Sequence, residues 1–376
     1  MNVTLFFTYG ISIDDWNTAG LISREIAIYE KMYLENGVEF NFITYGDKKD
    51  LNKIDVNGIK IYPIYTRMKY SKNKYIRIIK SLAIPFIFRD VLRTSSIFKT
   101  NQLKGSWVAI LSKIIYRNPL IIRTGYDSLK WSKFEQRGIV YTFFIKLLTK
   151  FSLSLSDQYN VTTLSDKEFL NRKFKVNKNI QIRPNYINQE IFTDYEQERI
   201  NELLFVGRLE DQKNIRFLID EYKSYQLPKL NIIGDGFYKD ELQYEITHNN
   251  LNINLIGKVP NYDLPNFYNK YKYFILCSKY EGNPKTLLEA MSSGSIVIGN
   301  NVEGIKSIIE NNKNGFLINC EKGDLEKVLK LAINKQFDLT RIKQNSINYV
   351  NHNHSLENLT KMELKDYDRL LSIKGR

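Results

Sequence analysis

The stretch "YEGNPKTLLEAMSSG", Tyr280–Gly294, sets two carboxylates, Glu281 and Glu289, with seven residues between them. The apolar run "KYFILCS" before it reads as a buried strand, and Leu287, Leu288, Ala290 and Met291 after it read as the inner face of a helix. Asn283 suits an N-cap and Pro284 a first helical position. The first-turn N–H groups around Lys285 and Thr286 then point out of the helix end, where the helix dipole is positive, and form an anion site made of backbone. Glu281 would lie beside such an anion, placed to accept from sugar hydroxyls. Glu289, more than one turn in, would take both hydroxyls of a ribose. A loop acid and a solvent-facing helix residue are the plain alternatives.

The same rhythm recurs through the second half of the chain. "ELLFVGRL", "KLNIIGDG", "INLIGKV", "KYFILCS", "GSIVIGNN" and "NGFLINC" read as strands, with helical spacing in "NIRFLIDEYKSY", "FYKDELQYEITHNN" and "YDLPNFYNKY". Arg208 follows the first of these strands and Lys213 comes five residues later, so both bases could reach one diphosphate, Arg as a fork and Lys as a point charge. The first half shows a separate run: "VTLFFTYG", "VEFNFITYG", "GIKIYPIY", "SSIFKTN", "PLIIRTG", "QYNVTTLS" and "IQIRPN", with helices over "GLISREIAIYEKMYLENG" and "GSWVAILSKIIY". Alternating strands and helices at short intervals predict parallel sheets covered by helices. The expectation is α/β: two facing Rossmann-like, doubly wound domains with a cleft between them. The first covers residues 1–185 and the second 186–354, with a closing helix near 355–376 returning to the first. The acidic linker "NQEIFTDYEQERIN" marks the boundary.

The chain has 376 residues and a net charge of +14. Residues 51–150 hold 20 Lys/Arg against 4 Asp/Glu, so this one region supplies the whole excess. A solvated basic face, an anionic membrane surface and a nucleic acid are the readings such a belt allows. Aromatics interleave with bases in "YTRMKYSKNKYIR", as an RNA-binding surface would require. No zinc-finger, RRM-like or KH-like signature accompanies it, so the membrane is preferred and no nucleic-acid partner is expected. In "KNKYIRIIKSLAIPFIFRDVLR", Lys72, Lys74, Arg77, Lys80, Arg89 and Arg93 alternate with an apolar stripe that Pro85 should break. The start of the chain reads as a strand, without the basic n-region of a signal peptide. "YTFFIKLLTKF" is too short and too charged to span a bilayer. Cys277, Cys320 and the three histidines show no metal-ligand spacing.

These elements resemble the retaining glycosyltransferases of family 4, which have the GT-B fold. "FVGRLEDQKNIRFLI" is similar to the family's G-R-L…K element, "NIIGDG" to its G-(D/E)-G turn, and "EGNPKTLLEAMSSGSIVIGNN" to its E-x7-E element. "IRPNYINQEIF" is similar to the segment before the second domain. The resemblance implies transfer of a hexose-type sugar from a nucleotide-diphosphate sugar to a glycan or lipid-linked acceptor in bacterial surface polysaccharide synthesis: capsule, lipopolysaccharide or exopolysaccharide. It assigns Arg208 and Lys213 to the donor diphosphate, Glu281 to the transferred sugar and Glu289 to the ribose. Gly207, Gly282, Asn283, Lys285 and Thr286 would contact sugar or phosphate. Lys258 and Val259 would frame the base, with Gly234 and Gly236 nearby, and Gly10 would approach the donor phosphate. On the acceptor side it points to Asp15, Trp16, Gly20, Arg123, Tyr126 and Asp127. The chain departs from the family pattern twice: "YGISIDDWNTAG" lacks the glycine pair, and "LIIRTGYDSLKW" lacks a histidine. No carboxylate is marked as a nucleophile and no D-x-D motif precedes a strand end. Front-face transfer without metal or cofactor is therefore implied. A sugar-nucleotide epimerase on the same fold and a basic RNA-binding protein are the alternatives. A cytoplasmic protein is expected, peripheral on the inner face of the plasma membrane if the basic belt meets lipid.

Overall fold

The computed structural model describes residues 1–125, 127–132, 134–135, 137–176 and 179–374. The chain forms two compact units. One holds residues 1–184 and the segment from Leu359 onward; the other holds Asn185–Asn358.

The N-terminal unit is built on β1 (Asn2–Phe6), β2 (Glu39–Thr44), β3 (Ile59–Pro63), β4 (Ile97–Thr100), β5 (Leu120–Thr124), β6 (Gln158–Val161) and β7 (Ile180–Ile182). They form one sheet in the order β3-β2-β1-β4-β5-β6-β7, parallel throughout. The C-terminal unit has β8 (Ile200–Val206), β9 (Leu230–Ile233), β10 (Ile253–Gly257), β11 (Tyr271–Leu276), β12 (Ile296–Asn300) and β13 (Phe316–Ile318). Its order is β10-β9-β8-β11-β12-β13, also parallel. Both faces of each sheet are covered, which is why the central strands read as unbroken apolar runs rather than alternating ones. In the C-terminal unit Phe205, Ile232 and Ile275 face one apolar cluster, while Leu204, Ile233 and Phe274 face a second.

Local chemistry accounts for several element ends. The helix Ile22–Asn36 stops at Gly37, which takes a left-handed φ of 64° that a side chain would resist. The basic segment forms a helix over Lys74–Ser81, breaks, and restarts at Ile84 with Pro85 in the first turn. Several helices escape the sequence reading, among them Leu164–Phe174, Asp324–Ile333 and the 17-residue Ile139–Leu155. The last contains the apolar stretch "YTFFIKLLTKF", whose hydrophobicity gives no face a clear polar signature. Among the described residues, no helix is long and apolar enough to cross a membrane.

The helix Leu356–Lys374 returns to the N-terminal sheet through buried charge. Lys99 on β4 forms an ion pair with Glu363, both side chains at most 2% exposed. Arg183 grips Asp366 in bidentate fashion, Nε–Oδ2 2.7 Å and Nη2–Oδ1 2.6 Å. Burial pulls the Lys99 ammonium below its usual range. Burial would raise the Glu363 carboxyl, but the charges of Lys99 and Arg123 hold it below the usual range. Removing one member strands the other in a dry interior. Glu363→Ala should therefore cost about 3–5 kcal/mol in denaturant unfolding, and Lys99→Met combined with Glu363→Leu should recover most of that loss.

Candidate active site at the switch point of the C-terminal unit

In the C-terminal sheet, chain order reverses between β8 and β11, which pair with Leu203 opposite Tyr273 and Leu204 opposite Phe274. Ligands of open parallel sheets bind beyond the carboxyl ends of strands at such a point. Here it brings two loops together: Gly207–Lys213 after β8, and 277–284 after β11. Lys213 Nζ lies 2.5 Å from Glu281 Oε1, and both side chains are largely buried. Their sequence separation is 68 residues.

The 277–284 loop is held from several sides. Gln212 Nε2 donates to the Tyr280 carbonyl at 3.0 Å, and the Lys279 N–H donates to the Gln212 carbonyl at 2.8 Å. Asn300 Nδ2 on β12 donates to the Ser278 carbonyl at 2.9 Å. Asn185 clamps the far end: its N–H donates to Asn283 Oδ1 at 2.9 Å and its Nδ2 to the Asn283 carbonyl at 2.6 Å. Gly304 packs so closely below that a Cβ there would sit 2.2 Å from the Gly282 carbonyl oxygen and 2.3 Å from that of Glu281. Asn185 and Gly304 are site-shaping residues that the sequence reading did not single out. No local pattern marks either.

The helix start differs from expectation by one residue. Pro284 takes the N-cap position, Lys285–Ser292 is helical, and no side chain caps the end. Asn283 does not cap it, because its side-chain oxygen is already taken by Asn185. Lys285 and Thr286 thus form the first turn, with Lys285 Nζ 5.3 Å from the Tyr186 ring centroid. Glu289 is fully buried, not solvent-facing, and Oε2 accepts from Tyr268 Oη at 3.0 Å. Arg208 and Lys213 have different partners. Arg208 lies in solvent against Glu210 at 2.9 Å, while Lys213 turns inward.

The glycines near the site serve close approach. A Cβ on Gly234 would fall 1.9 Å from the Gly207 carbonyl oxygen, and one on Gly236 would fall 2.7 Å from that of Leu209. The loops after β8 and β9 touch backbone to backbone, and only glycine fits. Lys258 and Val259 follow β10, whose Gly257 carbonyl accepts from the Gly234 N–H at 2.9 Å. Lys258 is exposed and Val259 half-buried.

The acceptor-side candidates lie in the N-terminal unit. Gly10 and Gly20 take left-handed φ values of 80° and 69°. Asp15 completes a capping box with Ser12, accepting from the Ser12 N–H at 2.7 Å. Trp16 is a core residue, its ring 4.5 Å from that of Phe7. Arg123 is half-buried on β5 and Tyr126 lies outside the described residues. Asp127 is interior, its Oδ1 accepting from the backbone N–H groups of Leu129 and Lys130 at 2.9 and 3.0 Å. Burial pushes its carboxyl up to about 6 from an ordinary 3.8, with the Lys130 N–H opposing the rise and the charge of Asp166 adding to it. The folded protein therefore keeps a proton that the unfolded chain releases between those values. Stability from this group is full below pH 4 and is lost as pH rises through about 6. Asp127→Asn removes the titration. Between pH 4 and 7 its stability should gain roughly 2–3 kcal/mol on wild type in parallel urea unfolding series.

Residues 188–349 match the family described as Glycosyl transferases group 1. An N-acetyl-D-galactosaminyltransferase of Campylobacter jejuni, named for a PP-undecaprenol-linked glycan, is 28% identical over 69% of this chain and 67% of its own length. An uncharacterized glycosyltransferase of Haemophilus influenzae is 24% identical over 85% of this chain and 88% of its own. Among solved structures, HepE of Anabaena in complex with UDP superposes with a TM-score of 0.77 at 14% identity, covering 98% of this chain and 100% of that one. Sucrose-phosphate synthase of Thermosynechococcus elongatus superposes with the same TM-score and identity, covering 99% of this chain and 100% of that one. The two parallel-sheet units have the GT-B fold, and the family match and the relatives together support a GT-B glycosyltransferase.

Proposed function

We propose that the protein is a retaining, metal-independent glycosyltransferase of family 4 that moves a hexose-type sugar from a nucleotide-diphosphate donor to a glycan or lipid-linked acceptor. The observation that carries this reading is the Lys213–Glu281 pair, 2.5 Å apart beside the uncapped start of helix Lys285–Ser292. A base, a carboxylate and a helix N-terminus converge where a charged leaving group and a sugar would have to meet. The donor diphosphate takes the helix end and Lys213. As Lys213 turns to it, Glu281 is released to accept from hydroxyls of the transferred sugar. Arg208, an exposed side chain, swings from Glu210 to the same diphosphate. Gly207, Gly282, Asn283 and Thr286 line the path.

Lys213 and the helix dipole stabilise the charge that grows on the diphosphate as the glycosidic bond breaks. In front-face transfer that diphosphate also takes the acceptor's proton, so no side-chain nucleophile is needed. Glu289 receives the ribose hydroxyls once Tyr268 yields its hydrogen bond. Lys258 and Val259 border the base. The acceptor side is supported by relatives: the Campylobacter enzyme is named for a PP-undecaprenol-linked glycan, and a protein of Erwinia amylovora for amylovoran biosynthesis. A role in bacterial surface polysaccharide synthesis, from the cytoplasm or the inner face of the plasma membrane, accords with that reading.

The test separates donor binding from transfer. Glu289→Gln should weaken nucleoside diphosphate binding, measured by calorimetry with UDP, GDP and ADP, by about 1.5–3 kcal/mol, the worth of a hydrogen bond to a charged group. A variant that melts lower yet binds its nucleotide normally would restrict Glu289 to holding Tyr268. Lys213→Ala should lower turnover of the nucleotide sugar by about 100- to 1000-fold. Wild-type turnover in that variant would remove Lys213 from the mechanism.

A further inference from the structure

The N-terminal unit turns apolar side chains outward in the region that carries the charge excess. Helix Ile139–Leu155 buries Ile145, Leu148, Thr149, Ser152 and Leu153. It leaves Ile139, Phe143, Leu147, Phe151 and Leu155, four residues apart along one side, in solvent. Ile139 is 88% exposed and Phe143 61%. Trp107 joins this helix to the basic segment: its ring meets Phe144 at 6.2 Å, and its indole N–H donates to Ser81 Oγ at 2.9 Å. On that segment Tyr75, Ile79, Leu82 and Phe86 are likewise exposed, Ile79 by 67%. Ile114, on the helix that carries Trp107, is exposed as well. Two rows of large apolar side chains linked through one tryptophan exceed the scattered exposure expected of a free surface.

Charge indicates what covers this face. Lys72 and Lys74 flank one row, and Lys146 and Lys150 the other. All four are exposed, and none has a carboxylate partner among the described residues. Between residues 68 and 155 the sequence holds three carboxylates: Asp90 pairs with Arg67, Glu135 pairs with Arg137, and Asp127 is buried. A second copy meeting this face would bring lysines against lysines with no acid to answer them. An anionic lipid surface answers the lysines and takes the apolar rows together.

We infer that helix Ile139–Leu155, together with the segment 74–87, is the surface on which the protein lies on an anionic bilayer. The lysines sit at the headgroups and the Phe and Ile side chains enter the layer below. This deepens the proposed reading, resting on it only for purpose: a lipid-linked acceptor is reached from the membrane plane. The structure also narrows the set of bases. Arg77 Nη1 donates to the carbonyls of Ser71 and Lys72 at 2.8 and 2.9 Å, and Lys80 Nζ donates to that of Lys69 at 2.9 Å. Those two brace the preceding loop and are not available to headgroups, whereas the sequence reading grouped them with Lys72 and Lys74 as bases facing the bilayer.

Flotation tests the inference, using vesicles of phosphatidylcholine alone and of phosphatidylcholine mixed with phosphatidylglycerol. The wild-type protein should float with the mixed vesicles and stay below with the neutral ones. Replacing Lys72, Lys74, Lys146 and Lys150 by Gln should weaken partition about fivefold per lysine. Phe143→Ser with Phe151→Ser should leave a bound fraction that moderate salt strips off, while wild type partly holds. Every substitution is at an exposed position, and a thermal melt for each variant checks that it stays folded. Equal partition onto both vesicle types, or no flotation at low salt, would overturn the proposal. So would a sedimenting dimer that the Phe variant dissolves and vesicles do not compete away. Nucleoside diphosphate binding is measured on the same proteins. Its loss in wild type would sink the transferase reading while leaving flotation to judge the surface alone.

Discussion

The pairing of β8 with β11 positions everything in the candidate site. Strands far apart in sequence become neighbours, and the loop leaving each strand is placed by that adjacency. Lys213 and Glu281 meet because the ladder fixes where both loops begin. Were β8 to pair elsewhere, the same residues would be an isolated base and an isolated acid on separate surfaces. Register matters equally. A slip by one residue would exchange the inward and outward sides of β11 and move Cys277 away from the Lys213 carbonyl it now meets at 3.2 Å.

Close backbone approach then converts adjacency into a rigid site. Gly234 and Gly304 lie where a Cβ would crowd a neighbouring carbonyl, so the loops after β8 and β9 meet backbone to backbone, as do the loop after β11 and the segment that carries Gly304. Asn185 closes the arrangement from the linker through two hydrogen bonds to Asn283. In the proposed reading this backbone frame holds its place while Lys213, Glu281 and Arg208 exchange partners, and a preorganised frame is the condition for large electrostatic stabilisation. Until then the ion pair between Lys213 and Glu281 leaves neither group uncompensated in a largely buried place.

The N-terminal unit inverts the usual distribution of side chains. Lys99, Glu363, Arg183 and Asp366 are inside, where they tie the last helix to the sheet, whereas Phe143, Phe151, Ile79 and Phe86 are outside. Interior charge is tolerated because each ion has a partner at hydrogen-bond distance. Exterior apolar surface has no such internal compensation, which is why it points to something beyond the chain.

The two parallel α/β sheets were legible in the sequence, because apolar runs of four to seven residues and helical spacing between them are short-range patterns. Sequence spacing put Arg208, Lys213, Glu281 and Glu289 in one group; the structure brings Lys213 to Glu281, while Arg208 lies against Glu210 and Glu289 is buried against Tyr268. Asn283 was misread as a cap, because cap preference is local while the competing Asn185 lies 98 residues away. Helix Ile139–Leu155 was passed over, because a segment apolar on both faces does not reveal from its composition which face meets the core. Gly304, the burial of Glu289 under Tyr268, the inward turn of Asp127 and the split between Arg208 and Lys213 were settled only when the chain folded. Each depends on which distant backbone or side chain arrives at that spot, and pair contacts across tens of residues leave no periodic trace in a single chain.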